Sequence, residues 1–100
     1  MHANVQLGPD GSFHSLMVPD QGKTFMLSSG ARGGGMMVAG QCIDENPGLM
    51  RGRGIAVFNS TGGGFQITLK DSHGQESVKV LCDESPMQPS GQTEGFWVEN

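Results

Sequence analysis

The sequence predicts an all-β fold: a small antiparallel β-sandwich or barrel of six to seven short strands, with little or no helix. Three observations predict it. Phe65, Ile67 and Leu69 alternate with Gln66, Thr68 and Lys70, the two-residue period of a strand with one buried face. Glycine makes up 17 of the 100 residues, against an average of about 7%, and the glycines fall between apolar runs, where turns belong. No stretch repeats apolar residues at i, i+3, i+4 and i+7 over three turns, the pattern of an amphipathic helix. Short Gly- and Pro-bearing connections make the pairing antiparallel, because a parallel crossover takes about a dozen residues or more.

The central element is a hairpin over residues 54–71. Ile55-Ala-Val-Phe58 and Phe65 to Lys70 form its strands, and Asn59-Ser-Thr-Gly-Gly-Gly64 its connection, rich in residues that tolerate turns and positive φ. Upstream, Val5-Gln-Leu7 reads as a weak strand ending at the turn Gly8-Pro-Asp-Gly11. Ser12 to Val18 follows as a strand, with Phe13, Ser15 and Met17 on one face and His14, Leu16 and Val18 on the other. Pro19-Asp-Gln-Gly22 is a turn and Thr24 to Leu27 a short strand. Ser28 to Gly35 is a glycine-rich loop around Arg32. Met36 to Ile43 suits a buried strand, and Gly40 within it suggests a bulge or a close backbone approach. Asp44 to Gly48 turns the chain, and residues 49–54 lead into the hairpin. Glu76 to Cys82 is a strand with Val78, Val80 and Cys82 on one face. Asp83 to Glu94, with Pro86, Pro89 and Gly91, reads as irregular, and Phe96-Trp-Val98 as an edge strand.

Length sets one domain, residues 1–100, burying roughly 60–65% of its unfolded surface. The net charge of −4 opposes general binding to nucleic acid or anionic membranes, both of which need a positive field. No apolar run reaches the roughly 18 residues of a membrane span. The first twenty residues lack the basic and apolar regions of a signal peptide, while Met1 fits either a native start or the replacement of a leader.

The chemistry-bearing residues are sparse. Cys42 and Cys82 are the only cysteines. Paired, they close a loop of about 40 residues, worth about 4 kcal/mol on the chain-entropy account. Unpaired, they are buried thiols. Pairing would go with a secreted protein and free thiols with the cytosol. His2, His14 and His73 are scattered, without the close Cys and His spacing of a zinc site. No G-x-S-x-G elbow accompanies the serines, and no Lys-Ser/Thr follows the glycine runs as a phosphate loop requires. Asn59-Ser-Thr61 matches a glycosylation acceptor. No metal and no cofactor is implied.

Exclusion of chemistry leaves recognition. Arg32, Arg51 and Arg53 sit in glycine-rich segments, Met50 and Met87 fall in loops, and Phe96 and Trp97 lie near the end of the chain. Arg, Met and Trp are enriched at interfaces, while methionines on strands belong to the core. The leading reading is a non-enzymatic protein-binding module, an inhibitor or antagonist that blocks a partner protein through these residues, with acidic groups on the partner. The alternative is a structural subunit of a virion or surface assembly joined at exposed strand edges. A small hydrolase or metal enzyme comes third.

Overall fold

A computed structural model describes residues 1–28 and 35–100. Its strands are β1 (His2–Leu7), β2 (Phe13–Val18), β3 (Lys23–Leu27), β4 (Met36–Glu45), β5 (Arg53–Ser60), β6 (Phe65–Asp71), β7 (Glu76–Cys82) and β8 (Gly91–Glu99). Single 3-10 turns at Pro19–Gln21 and Pro47–Leu49 are the helical segments among the described residues. The strands close into an antiparallel barrel in the order β1-β2-β3-β8-β5-β6-β7-β4, with β4 returning to β1.

The all-β architecture and the barrel alternative hold, but the strand number is eight rather than six or seven. The terminal stretch is also not an edge. β8 begins at Gly91, inside the segment expected to be irregular, and lies between β3 and β5.

The hairpin forms as the alternation predicts. β5 and β6 pair from Gly54↔Asp71 to Ser60↔Phe65, and Phe65, Ile67 and Leu69 point inward with no exposed surface. Val78, Val80 and Cys82 do the same from β7. Inward residues from every strand fill the barrel, so its interior is a packed core. Phe13 lies 5.3 Å from Phe58 and 6.4 Å from Phe25 between ring centres, and Phe25 meets Trp97 edge-on at 5.5 Å.

Glycine makes room for that core. Gly54 and Gly95 face each other across β5 and β8; a methyl group on Gly95 would press on the Phe25 ring, and one on Gly54 would fall 2.3 Å from the Lys70 carbonyl oxygen. Gly40 is a close approach of the kind its sequence position suggests: a Cβ there would fall 2.6 Å from Val80 Cγ1 and 2.9 Å from Cys82 Sγ.

Three bulges interrupt the pairing among the described residues: at one, Leu69 pairs with Val78 and Lys70 with Glu76, so Ser77 is the extra residue, and the other two re-aim side chains. Gln6 pairs with Ser15 and Leu7 with Phe13, so His14 is the extra residue, and Phe13 and His14 are both buried. The second bulge lies between Cys42 and Asp44 and leaves Ile43 exposed. Strand direction then sorts the connections. One end of the barrel carries residues 8–12, 61–64 and 83–90, and the other carries 19–22, 46–52 and 72–75.

Candidate functional site

The β4–β5 connection builds the first candidate site. After the turn at Pro47–Leu49, Met50 enters the core while its carbonyl accepts a hydrogen bond from Lys23 Nζ at 3.0 Å. The chain then reverses through Arg51-Gly52-Arg53. Arg51 N–H donates to the Leu49 carbonyl, and the Gly52 carbonyl accepts from Trp97 N–H at 2.9 Å, which ties the arginines to β8. Gly52 has φ +71, the left-handed region that glycine enters without a Cβ penalty.

Both arginines are exposed. Neither guanidinium has a hydrogen-bond or ion-pair partner among the described residues, where the ion pair is Lys79–Glu76 at 3.3 Å. Two acids border the same recesses as the arginines. Asp71 lines a recess of about 450 Å³ with Arg51, but its carboxylate accepts from the backbone N–H of His73 and of Gln75, each at 2.9 Å. Arg53 borders a smaller recess of about 180 Å³ that includes Glu94, without an ion pair. Ser72 lines both recesses, so the two arginines flank the β6–β7 turn. Phe96 is the β8 partner of Arg53 and half-buried. Two unpaired guanidiniums on a pinned turn offer forked donors suited to carboxylates.

The opposite end has an open cleft of about 810 Å³ between residues 8–12 and the segment before β8. Phe13, Phe58 and Leu27 form its apolar part, and Asp10, Ser12, His14, Gln92 and Thr93 supply polar groups. Asp10 accepts from Ser12 N–H at 3.0 Å and from Ser12 Oγ at 2.6 Å. These bonds, the hydroxyl's first, hold its carboxyl below the usual range. Serine, histidine and aspartate thus share the cleft, but the serine proton goes to the carboxylate. Triad chemistry needs an imidazole to take it.

The structure gathers Arg51, Arg53 and Phe96 and separates the rest. Met50 is 0% exposed, so it is a core residue and not the exposed contact its loop position suggests. Trp97 is 8% exposed with Nε1 lacking an acceptor, so it too belongs to the core. Met87 is 37% exposed, at the cleft end of the barrel. Arg32 lies outside the described residues.

Cys42 and Cys82 are free thiols, not a disulfide. Cys42 pairs with Val80, while the Cys82 sulfur sits beside Gly40. Such diagonal neighbours stand about 7–8 Å apart, beyond the roughly 4.4–6.8 Å between Cα atoms that a disulfide spans. Burial pushes Cys82 up to about 11, with Asp83 adding to the effect, and burial raises Cys42 as well.

One surface escapes the sequence reading. Met17 and Met37, on strands and therefore expected in the core, are 36% and 56% exposed. Leu16-Met17 and Met36-Met37 are adjacent apolar pairs, so either phase of the strand looks buried. The signal around these two methionines is local charge: residues 2–7, 13–18 and 36–43 contain no Asp, Glu, Lys or Arg, although β4 runs on into Asp44 and Glu45.

Comparison with protein-family models, with curated proteins and with solved structures finds no match to this chain.

Proposed function

We propose that this chain is a non-enzymatic protein-binding module, an inhibitor or antagonist that blocks a partner by seating acidic groups on Arg51 and Arg53. The observation that carries the reading is the pair of exposed guanidiniums without partners, held on a turn bonded to β8. In a chain of net charge −4 with ten acids, two arginines that answer none of those acids are available to another molecule. Phe96 adds apolar area beside Arg53, and the recesses about Ser72 give an acidic side chain somewhere to enter. The barrel holds the backbone of the turn, so the ordering cost of binding is confined to the two arginine side chains. The structural-subunit reading keeps its low charge but loses its strand edges, since the barrel is closed among the described residues.

The test is affinity capture from the cells that make the protein, followed by titration of the captured partner. Arg51→Ala with Arg53→Ala should weaken binding by about 30-fold or more, the scale of a lost hot spot, and binding should weaken as salt rises. A partner held within twofold by the double variant would overturn the assignment.

A further inference from the structure

We infer that the groove between the outer face of β4 and the β7–β8 connection docks a basic segment of a partner protein, one with apolar side chains beside its Lys or Arg. The groove lies toward the end of the barrel away from Arg51 and Arg53 and does not depend on their role.

Strand alternation builds its floor. Val38 and Gly40 are buried, so Met37, Ala39 and Gln41 stand on the outer face of β4. β7 pairs alongside, and its outward Leu81 lies opposite Gln41. Met37 is 56% exposed, which leaves apolar surface open on this floor. The chain leaves β7 at Cys82, and Asp83, Glu84 and Pro86 form one wall of a groove of about 550 Å³. Hydrogen bonds fix that wall. Ser85 N–H donates to the Gly63 carbonyl at 3.1 Å, and Ser85 Oγ donates to the Met87 carbonyl. The groove is thus formed before anything enters it, which lowers the ordering cost of binding.

Charge selects the occupant. Asp83 and Glu84 are exposed. Neither carboxylate has a hydrogen bond or an ion pair among the described residues, where the ion pair joins Lys79 to Glu76. Lys79, on β7 itself, is therefore engaged, and Lys23, Arg51, Arg53 and Lys70 sit toward the opposite end. Two carboxylates without a cation, beside an open apolar floor, are answered by a segment that brings both a cation and an apolar side chain. Arginine suits the carboxylates through its forked donors, and Met37 adapts to the side chain laid on it. The same charge turns away nucleic acid and anionic membranes, whose phosphates would face the carboxylates. Closure of the barrel removes strand addition, so side chains make the contact. From Met37 to Gln41 the floor runs about 13 Å at about 3.3 Å per residue, room for about four extended residues.

Selection of phage-displayed random peptides of about nine residues, enough to overrun the floor, on the immobilised protein tests this. Enriched sequences should carry Lys or Arg beside Leu, Ile, Met or Phe, and synthetic copies should shift the amide resonances of residues 37–41 and 81–86. Asp83→Asn with Glu84→Gln should weaken their binding by about tenfold, the scale of two exposed ion pairs. Raising salt from about 50 to 500 mM should weaken it too. Ala39→Arg, at an exposed position, sets the peptide's own charge on the floor and should weaken binding at least as much, with the dichroism spectrum unchanged. Enrichment of no peptide, enrichment of peptides without basic residues, or binding held within twofold by both variants overturns the inference. So does self-association in sedimentation that Asp83→Asn with Glu84→Gln and Arg51→Ala with Arg53→Ala each abolish, since that gives the groove to a second copy's arginines. Arg51→Ala with Arg53→Ala should leave peptide binding intact, which keeps failure here distinct from failure of the arginine site.

Discussion

Gly95→Ala should unlock the barrel at β8. A Cβ on Gly95 would lie 2.2 Å from the Met26 carbonyl oxygen and 2.6 and 2.7 Å from Cε2 and Cζ of Phe25. Ordinary contact begins at 3.4 Å, so the carbonyl must retreat by about 1.2 Å, the difference between 3.4 and 2.2 Å. The obstacle is backbone on β3, which is paired on both sides, so no rotamer change relieves it. Overpacking of this kind costs about 1–3 kcal/mol, and the rigid obstacle places Gly95→Ala near 3. Gly95 is outside the left-handed region, so alanine returns about 0.4–1 kcal/mol by restricting the unfolded chain. The net loss is about 2–2.6 kcal/mol, and at about 4–8 °C per kcal/mol for a domain this size the melting point falls by about 8–21 °C. Urea unfolding followed by Trp97, the single tryptophan, reads the change beside Phe25. Gly48→Ala is the control, because its Cβ would meet only Asn46 Oδ1 at 3.8 Å, and it should be neutral or slightly stabilising. The reasoning fails if the two variants unfold within about 0.5 kcal/mol of each other, the usual scatter of surface substitutions.

Other outcomes follow from the same geometry. Met50→Ala should lower stability by about 2–5 kcal/mol, as cavity formation in a core does, whereas Arg51→Ala should change it by less than about 0.5 kcal/mol; equal effects in chemical unfolding would contradict the buried position of Met50. Ser77 Oγ donates to the Leu69 carbonyl at 3.1 Å within the core, so Ser77→Ala should cost about 1 kcal/mol, read as a shift in urea midpoint at constant slope. Cys82 titrates at about 11 when folded against an ordinary 9.0. The folded chain then keeps a proton that the unfolded chain releases, and stability should fall as pH rises from 9 to 11. The chain has no Tyr to obscure that window, and Cys82→Ala should flatten the slope; an unchanged slope would assign the loss elsewhere.

The hairpin and the β7 alternation were legible because each strand buries one face and wets the other. β8 was not, for a physical reason. Its inward positions include Thr93 and Gly95 before Trp97, and the space a large side chain would fill is taken by Phe25 from β3. A strand whose inner face is supplied by its neighbour looks irregular on its own, and missing most of it hid the closure of the barrel. Met50 misled in the opposite sense: a turn residue, it plugs one end of the core. Of the candidate contacts, Arg51 and Arg53 were legible because charge flanked by glycine reports exposure. The exposure of Met17 and Met37 needed the register, since neither methionine pair reveals its phase.

The insertion of β8 between β3 and β5 shapes how the chain reaches its native state. Turns can zip β1 to β2 and β6 to β7 from nearby residues, but β8 must find strands roughly forty and seventy residues upstream, and β1 must find β4 over the connection past residue 28. Such distant pairings cost loop entropy before they return any stabilisation, and all-β domains dominated by them fold in milliseconds to seconds. Until β8 arrives, β3 and β5 stand as open rails, and dilution from denaturant at high concentration will favour aggregates that never form once the cylinder has shut.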